Sequence, residues 1–98
     1  MAKWASITIY RDENFGGESK TFEHWVDDLK EVPNGYLGNW RDETSSVKVN
    51  AGVWELYEHD HYQGAKTTLG KGEYAHMRDM AVGDGRLSSM KFIAEDEV

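Results

Sequence analysis

The chain has 98 residues, no cysteine, and 18 acidic against 11 basic side chains, giving a net charge of −7. Without cysteine, disulfides and thiolate metal sites are excluded, and the acidic balance makes nucleic acid and anionic membrane poor partners. A domain this small buries a marginal core, which leaves a hard cation on oxygen ligands as a possible stabiliser.

The opening residues, Met1 to Tyr10, hold no apolar run of signal-peptide length, and no segment is apolar enough to span a bilayer. A cytoplasmic location is therefore the default expectation. Ile7 and Ile9 alternate with Ser6 and Thr8, the period of a half-buried strand. The strand runs into Tyr10-Arg-Asp-Glu-Asn-Phe15-Gly16-Gly17: an aromatic, four residues, a second aromatic, one residue and a glycine. Phe22 suits the next strand. Trp25 and Leu29 are four apart, with Asp27 and Asp28 preceding Lys30, which predicts one or two turns of helix over 24–30. Pro33-Asn34-Gly35 reads as a turn. Arg41-Asp42-Glu43-Thr44-Ser45-Ser46 then leads into a strand in which Val47 and Val49 flank Lys48.

From here the pattern starts again. Trp54 and Leu56 alternate with Glu55 on the way to Tyr57-Glu-His-Asp-His-Tyr62-Gln63-Gly64, the same aromatic element. Leu69 suits the next strand, and Met77 to Ala81 is the counterpart of the helical segment. Asp84-Gly85-Arg86-Leu87-Ser88-Ser89 repeats the double serine before a strand carrying Met90 and Phe92. The chain is a duplicated unit, about 4–50 and about 52–94, within one domain over 1–98. Glu95 to Val98 reads as a frayed acidic tail. Short strands with turn residues between them predict an antiparallel all-β sandwich or barrel.

The repeat has a physical logic. Two aromatics five positions apart cannot share a face of a straight strand, so Tyr10 meets Phe15, and Tyr57 meets Tyr62, only if the chain folds back as a hairpin. Gly17 and Gly64 would supply positive φ there. The paired serines, where a loop enters a strand, can bond the folded hairpin through their hydroxyls. A strand crossing from each copy to the other sheet makes a Greek key.

No catalytic grouping is present: there is no Gly-rich phosphate loop and no Gly-x-Ser-x-Gly elbow. His59-Asp60-His61 has the alternation of a transition-metal site but lies inside a bending hairpin, where exposed side chains are the simpler reading. His24 and His76 have no evident partner. Trp54 alternates with Leu56 and reads as core, while Trp4, Trp25 and Trp40 are open to core or to a sugar-stacking surface.

These elements, together with Gly52-Val-Trp54-Glu-Leu-Tyr57-Glu58 and Gly72-Glu-Tyr74, resemble the βγ-crystallin family over nearly the whole chain. The resemblance implies a double Greek-key β-sandwich of two four-stranded sheets related by an approximate two-fold axis, non-enzymatic and monomeric. In microbial and invertebrate members the serine element reads Asn/Asp, Asn/Asp, x, x, Ser/Thr, Ser and binds Ca2+, which takes six to eight oxygen ligands. By resemblance, metal ligands here are Asp42, Glu43 and Ser45 in the first copy and Asp84, Arg86 and Ser88 in the second, Glu43 and Arg86 serving through their carbonyls. Backbone carbonyls of Asp12 and His59 would complete the sets. Arg41 and Gly85 depart from the pattern, one adding a positive charge and the other removing a ligand, so binding is expected to be weakened. Calcium ions are the expected partner. A metal-free structural crystallin, or a carbohydrate- or protein-binding module on the same sandwich, are the alternatives.

Overall fold

The computed structural model describes residues 3–35 and 38–97. Among them, the alternating apolar segments form strands β1 (Lys3–Trp4), β2 (Ser6–Tyr10), β3 (Ser19–Phe22), β4 (Ser46–Ala51), β5 (Val53–His59), β6 (Gln63–Leu69), β7 (Gly72–Tyr74), β8 (Ser89–Ala94) and β9 (Asp96–Glu97). One antiparallel sheet has the order β3-β2-β4-β7 and another the order β6-β5-β8. The inward residues of both, among them Ile7, Ile9, Val47, Val49, Trp54, Leu56 and Met90, close the core between the sheets, joined by Leu29, Trp40, Met77, Val82 and Leu87 from the connections. Trp40 thus belongs to the core with Trp54, whose indole N–H donates to Ala51 O at 3.1 Å. Trp4 is half-buried.

The two copies are interlocked by exchange. Strand β7 of the second copy pairs with β4 of the first. In return, Val26 of the first copy pairs with Met90 of β8 through reciprocal 2.9 Å backbone bonds. The second sheet therefore holds three strands and a one-residue bridge, where a fourth full strand was expected. The chain leaves this sheet early because Leu29 N–H turns to Ser88 O at 2.8 Å. The same bonds explain why residues 24–30 form no α-helix. Val26 uses its backbone groups on β8, and only Leu29–Glu31 winds into a 3-10 turn, with the Asp28 carboxylate accepting from Lys30 N–H. The four-residue spacing reports two unlike environments: Leu29 is fully buried, whereas Trp25 is 52% exposed. Met77–Asp79 is the matching 3-10 turn, and Met77 N–H donates to Ser45 O as Leu29 N–H does to Ser88 O.

Asn34 closes its turn by donating from its N–H to Gly38 O and accepting from Gly38 N–H with Oδ1. The acidic tail is not frayed at Asp96–Glu97, which pairs with Trp4 and Lys3; Val98 lies outside the described residues.

Both hairpins bend as the aromatic spacing requires. Asn14, Phe15 and Gly17 have φ of 57°, 61° and 71°, and His61, Tyr62 and Gly64 follow with 56°, 59° and 84°. Ring centroids of Tyr10 and Phe15 lie 5.6 Å apart and those of Tyr57 and Tyr62 5.8 Å apart, both edge-on. A lysine covers each pair: Lys48 Nζ lies 4.6 Å from the Phe15 ring and Lys91 Nζ 5.0 Å from that of Tyr62. The second serine of each pair, fully buried, locks the bend. Ser46 Oγ accepts from Phe15 N–H at 3.0 Å and donates to Asp12 O at 2.6 Å. Ser89 Oγ does the same with Tyr62 N–H and His59 O at the same distances.

A Cβ on Gly17 would lie 2.7 Å from Asp12 Oδ2, and one on Gly64 2.5 Å from His59 Cδ2. Added to the left-handed backbone, this makes Gly17→Ala and Gly64→Ala each destabilising by about 1–2 kcal/mol in urea unfolding. A stabilising alanine at either position would contradict this account of the hairpin.

Tyr57 is buried, and its hydroxyl donates to Glu55 Oε1 at 2.6 Å. Burial, and then the bond to Glu55, push the phenol up to about 12. Above pH 10 the unfolded chain gives up this proton while the folded one holds it, so stability falls as pH rises from about 10 to about 12. Thermal unfolding across this window should show a smaller alkaline loss in Tyr57→Phe than in the parent.

Candidate functional site

The serine loops are held at one end of the sandwich by bonds that cross between copies. Ser45 N–H donates to Tyr10 O at 2.9 Å and Ser88 N–H to Tyr57 O at 3.0 Å, tying each loop to its own hairpin. Asp42 N–H donates to Leu87 O at 3.0 Å and Gly85 N–H to Thr44 O at 3.1 Å, tying each loop to the other. The second residue of each serine element is thereby bonded to the fourth residue of the other. Asp42 and Gly85 occupy equivalent left-handed conformations, with φ of 59° and 65°.

The consequence is an open cavity of about 330 Å³ lined by Arg41, Asp42, Glu58, His59, Gly85, Arg86 and Ser88. Ser88 Oγ donates to Asp42 Oδ1 at 3.4 Å, a contact between the two copies. Glu58 presents a second carboxylate, paired with Arg86 Nη1 at 3.2 Å and facing His59 Nε2 at 3.7 Å. Two carboxylates and a hydroxyl thus face two guanidinium-bearing residues. The donor chemistry fits a hard cation, and Arg41 and Arg86 oppose its charge. Among the described residues no group of three or more His, Asp or Glu side chains converges in metal-ligating fashion, so any ion here depends on the hydroxyl and on loop carbonyls.

Of the residues expected from sequence, Asp42, Arg86, Ser88 and His59 come together. Asp84 is exposed and does not line the cavity. Glu43 and Ser45 share the loop of Asp42 but do not line the cavity, and Arg11 Nη2 contacts Glu43 Oε1 at 3.5 Å. The carbonyls of Asp12 and His59 each accept a serine hydroxyl, which takes one of their two lone pairs. Glu58 and Arg11 were missed. Both directly follow the first aromatic of a hairpin, and that position is the only signal either carries. The His59-Asp60-His61 triplet splits: His59 faces Glu58, while His61 lies 3.2 Å from Asp60 and 3.9 Å from Asp27. His24 and His76 do have neighbours, Trp25 O at 3.0 Å and Glu13 Oε2 at 3.5 Å.

A family model for Beta/Gamma crystallin matches residues 6–93. The chain belongs to the βγ-crystallin family. It is 33% identical to Gamma-crystallin M1 of Cyprinus carpio over 90 residues, covering 91% of this chain and 47% of that protein. Human Beta-crystallin B2 is 28% identical over 89 residues, covering 91% of this chain and 41% of that protein. The chain thus spans about half the length of these curated relatives. It spans nearly the whole of two solved βγ-crystallins. One, from an archaeon, is 30% identical with a TM-score of 0.77, covering 91% of this chain and 98% of that one. The other, from Ciona intestinalis, is 29% identical with a TM-score of 0.78, covering 89% and 98%. The fold is therefore the double Greek key of the family, and the chain is a βγ-crystallin domain. No helix among the described residues is long and apolar enough to cross a membrane.

Proposed function

We propose that this crystallin, read as one domain whose halves meet near residues 50–52, holds a single calcium ion in the cavity between Asp42 and Ser88 and is stabilised by it. The observation that carries this reading is the 3.4 Å approach of a carboxylate from one copy to a hydroxyl from the other, with the Glu58 carboxylate beside them. Asp42, Glu58 and Ser88 would hold the ion with the loop carbonyls of Arg86 and His59. Asp84 does not line the cavity, and Gly85, the counterpart of Asp42, brings no carboxylate for a second site. Both features favour one site over two. When bound, the ion supplies positive charge that cross-links the two serine loops. Because the unfolded chain cannot assemble these groups, stability rises by about 2.7 kcal/mol at a hundredfold excess of ion over Kd. Arg41 and Arg86 set that Kd higher than an all-acidic lining would.

A second reading rests on Trp25, 52% exposed and edge-on to Tyr62 and Phe92. Tyr74 and Val26 occupy corresponding places opposite Val47 and Met90, so Trp25 corresponds to Glu73. The fold does not demand an aromatic there, and a sugar or protein partner stacking on Trp25 would use one.

Calorimetric and melting titrations of metal-free protein test the main reading. Calcium should raise the melting temperature by several degrees, and magnesium much less, because magnesium demands tight octahedral geometry. Asp42→Ala should abolish the calcium effect. Arg41→Asp should tighten binding several-fold by replacing a cation with an anion. An unchanged melting curve in millimolar calcium would leave the metal-free structural reading in its place.

A further inference from the structure

Arg11 holds in the first copy the position that Glu58 holds in the second, directly after the first aromatic of the hairpin. Glu43 and Arg86 are likewise equivalent, each third in its serine element. Both copies therefore place an ion pair between hairpin and serine loop, Arg11–Glu43 at 3.5 Å and Glu58–Arg86 at 3.2 Å, with the polarity reversed. In the second copy the hairpin brings the anion. In the first it brings the cation.

The Arg11 guanidinium also reaches a second carboxylate, with Nη1 at 3.9 Å from Glu18 Oε1, and these two atoms are shielded from solvent. Glu18 is fixed in turn: its Oε2 accepts from Gly35 N–H at 2.7 Å, and its backbone O accepts from Arg11 N–H at 2.9 Å. Two carboxylates, Glu18 and Glu43, thus converge on one positive centre that belongs to the chain itself. Gly85, the counterpart of Asp42, brings no carboxylate to a second site.

We propose that Arg11 is a tethered cation, doing at this end of the first copy what a bound divalent ion would do at the Asp42–Ser88 cavity. The comparison with that cavity rests on the calcium reading above, but the claim about Arg11 does not. A covalently attached charge costs no association entropy and does not depend on ion concentration, so this half of the end is cross-linked whether or not calcium is present. The guanidinium also excludes a divalent cation from between Glu18 and Glu43 by like-charge repulsion. Arg11 thereby sets the ion stoichiometry of the domain.

The test is calcium titration by calorimetry and melting for the parent, Arg11→Gln, Arg11→Lys and the double variant Arg11→Gln/Glu43→Gln. Arg11→Gln should melt lower than the parent without metal, take up one calcium equivalent more, and show a larger calcium-dependent rise in melting temperature. Arg11→Lys should keep the parent stoichiometry, and the double variant should lose the extra equivalent. Should Arg11→Gln be unfolded without metal, recovery of the folded circular-dichroism spectrum on adding millimolar calcium supports the proposal, and failure to recover overturns it. A folded Arg11→Gln with the parent stoichiometry and the parent calcium response also overturns it. A parent that binds no calcium, beside an Arg11→Gln variant that binds one, would remove the Asp42–Ser88 reading and leave Arg11 as the tethered cation.

Discussion

Two buried hydroxyls hold this sandwich in shape. Phe15 and Tyr62 sit in left-handed backbone conformations that bulky side chains avoid, and the residues before them, Asn14 and His61, do the same. Such a corner persists only if the surroundings over-determine it. Ser46 and Ser89 supply most of that constraint, each closing a hydrogen bond to the N–H of the strained aromatic and another to a carbonyl three residues earlier. Each serine is also the first residue of its strand, β4 or β8. The lock therefore fixes the hairpin against an inner strand of one sheet and an edge strand of the other. Asn14 N–H to Ala75 O and His61 N–H to Asp27 O carry the same constraint into the opposite copy.

Because the corners are rigid, the loops they support can be specialised independently. The backbone bonds of the two copies match almost one for one, while the side chains at matching places differ in charge. Asp42 corresponds to Gly85, and Arg11 corresponds to Glu58. Trp25 covers Lys91 at 5.3 Å where Glu73 pairs with Lys48 at 3.8 Å. A duplicated fold has one symmetric scaffold and two asymmetric ends. The physical division is between backbone bonds, which both copies need for stability, and exposed charges, which either copy can change at little cost.

Much of this was legible in the sequence. Period-two alternation placed β2, β4, β5 and β8, and the aromatic spacing with Gly17 and Gly64 identified the bend, because these signals are local. What was misread involved long-range partners. Trp25 and Leu29 mimic a helix because nothing local shows that Val26 pairs with Met90. The tail reads as frayed because β1, its partner, lies at the far end of the chain. At the candidate site, Asp42 and Ser88 stood out as motif positions, but their mutual contact crosses copies. Glu58 and Arg11 stayed hidden because the residue after the first aromatic has no fixed type, and only the fold shows which loop it faces. The pair Ser46 and Ser89 was read as one half of a shared lock, and the structure assigns the lock to the second serine of each pair.

The hold of these two hydroxyls on the left-handed corners is tested most directly by urea unfolding of metal-free Ser46→Ala and Ser89→Ala beside Ser45→Ala. Removing either buried hydroxyl leaves an N–H and a carbonyl without their partner, a loss of about 2–4 kcal/mol on the usual cost of unsatisfied buried groups, whereas Ser45→Ala should cost under about 1 kcal/mol. Ser46→Ala and Ser89→Ala as stable as the parent, or no less stable than Ser45→Ala, would contradict it.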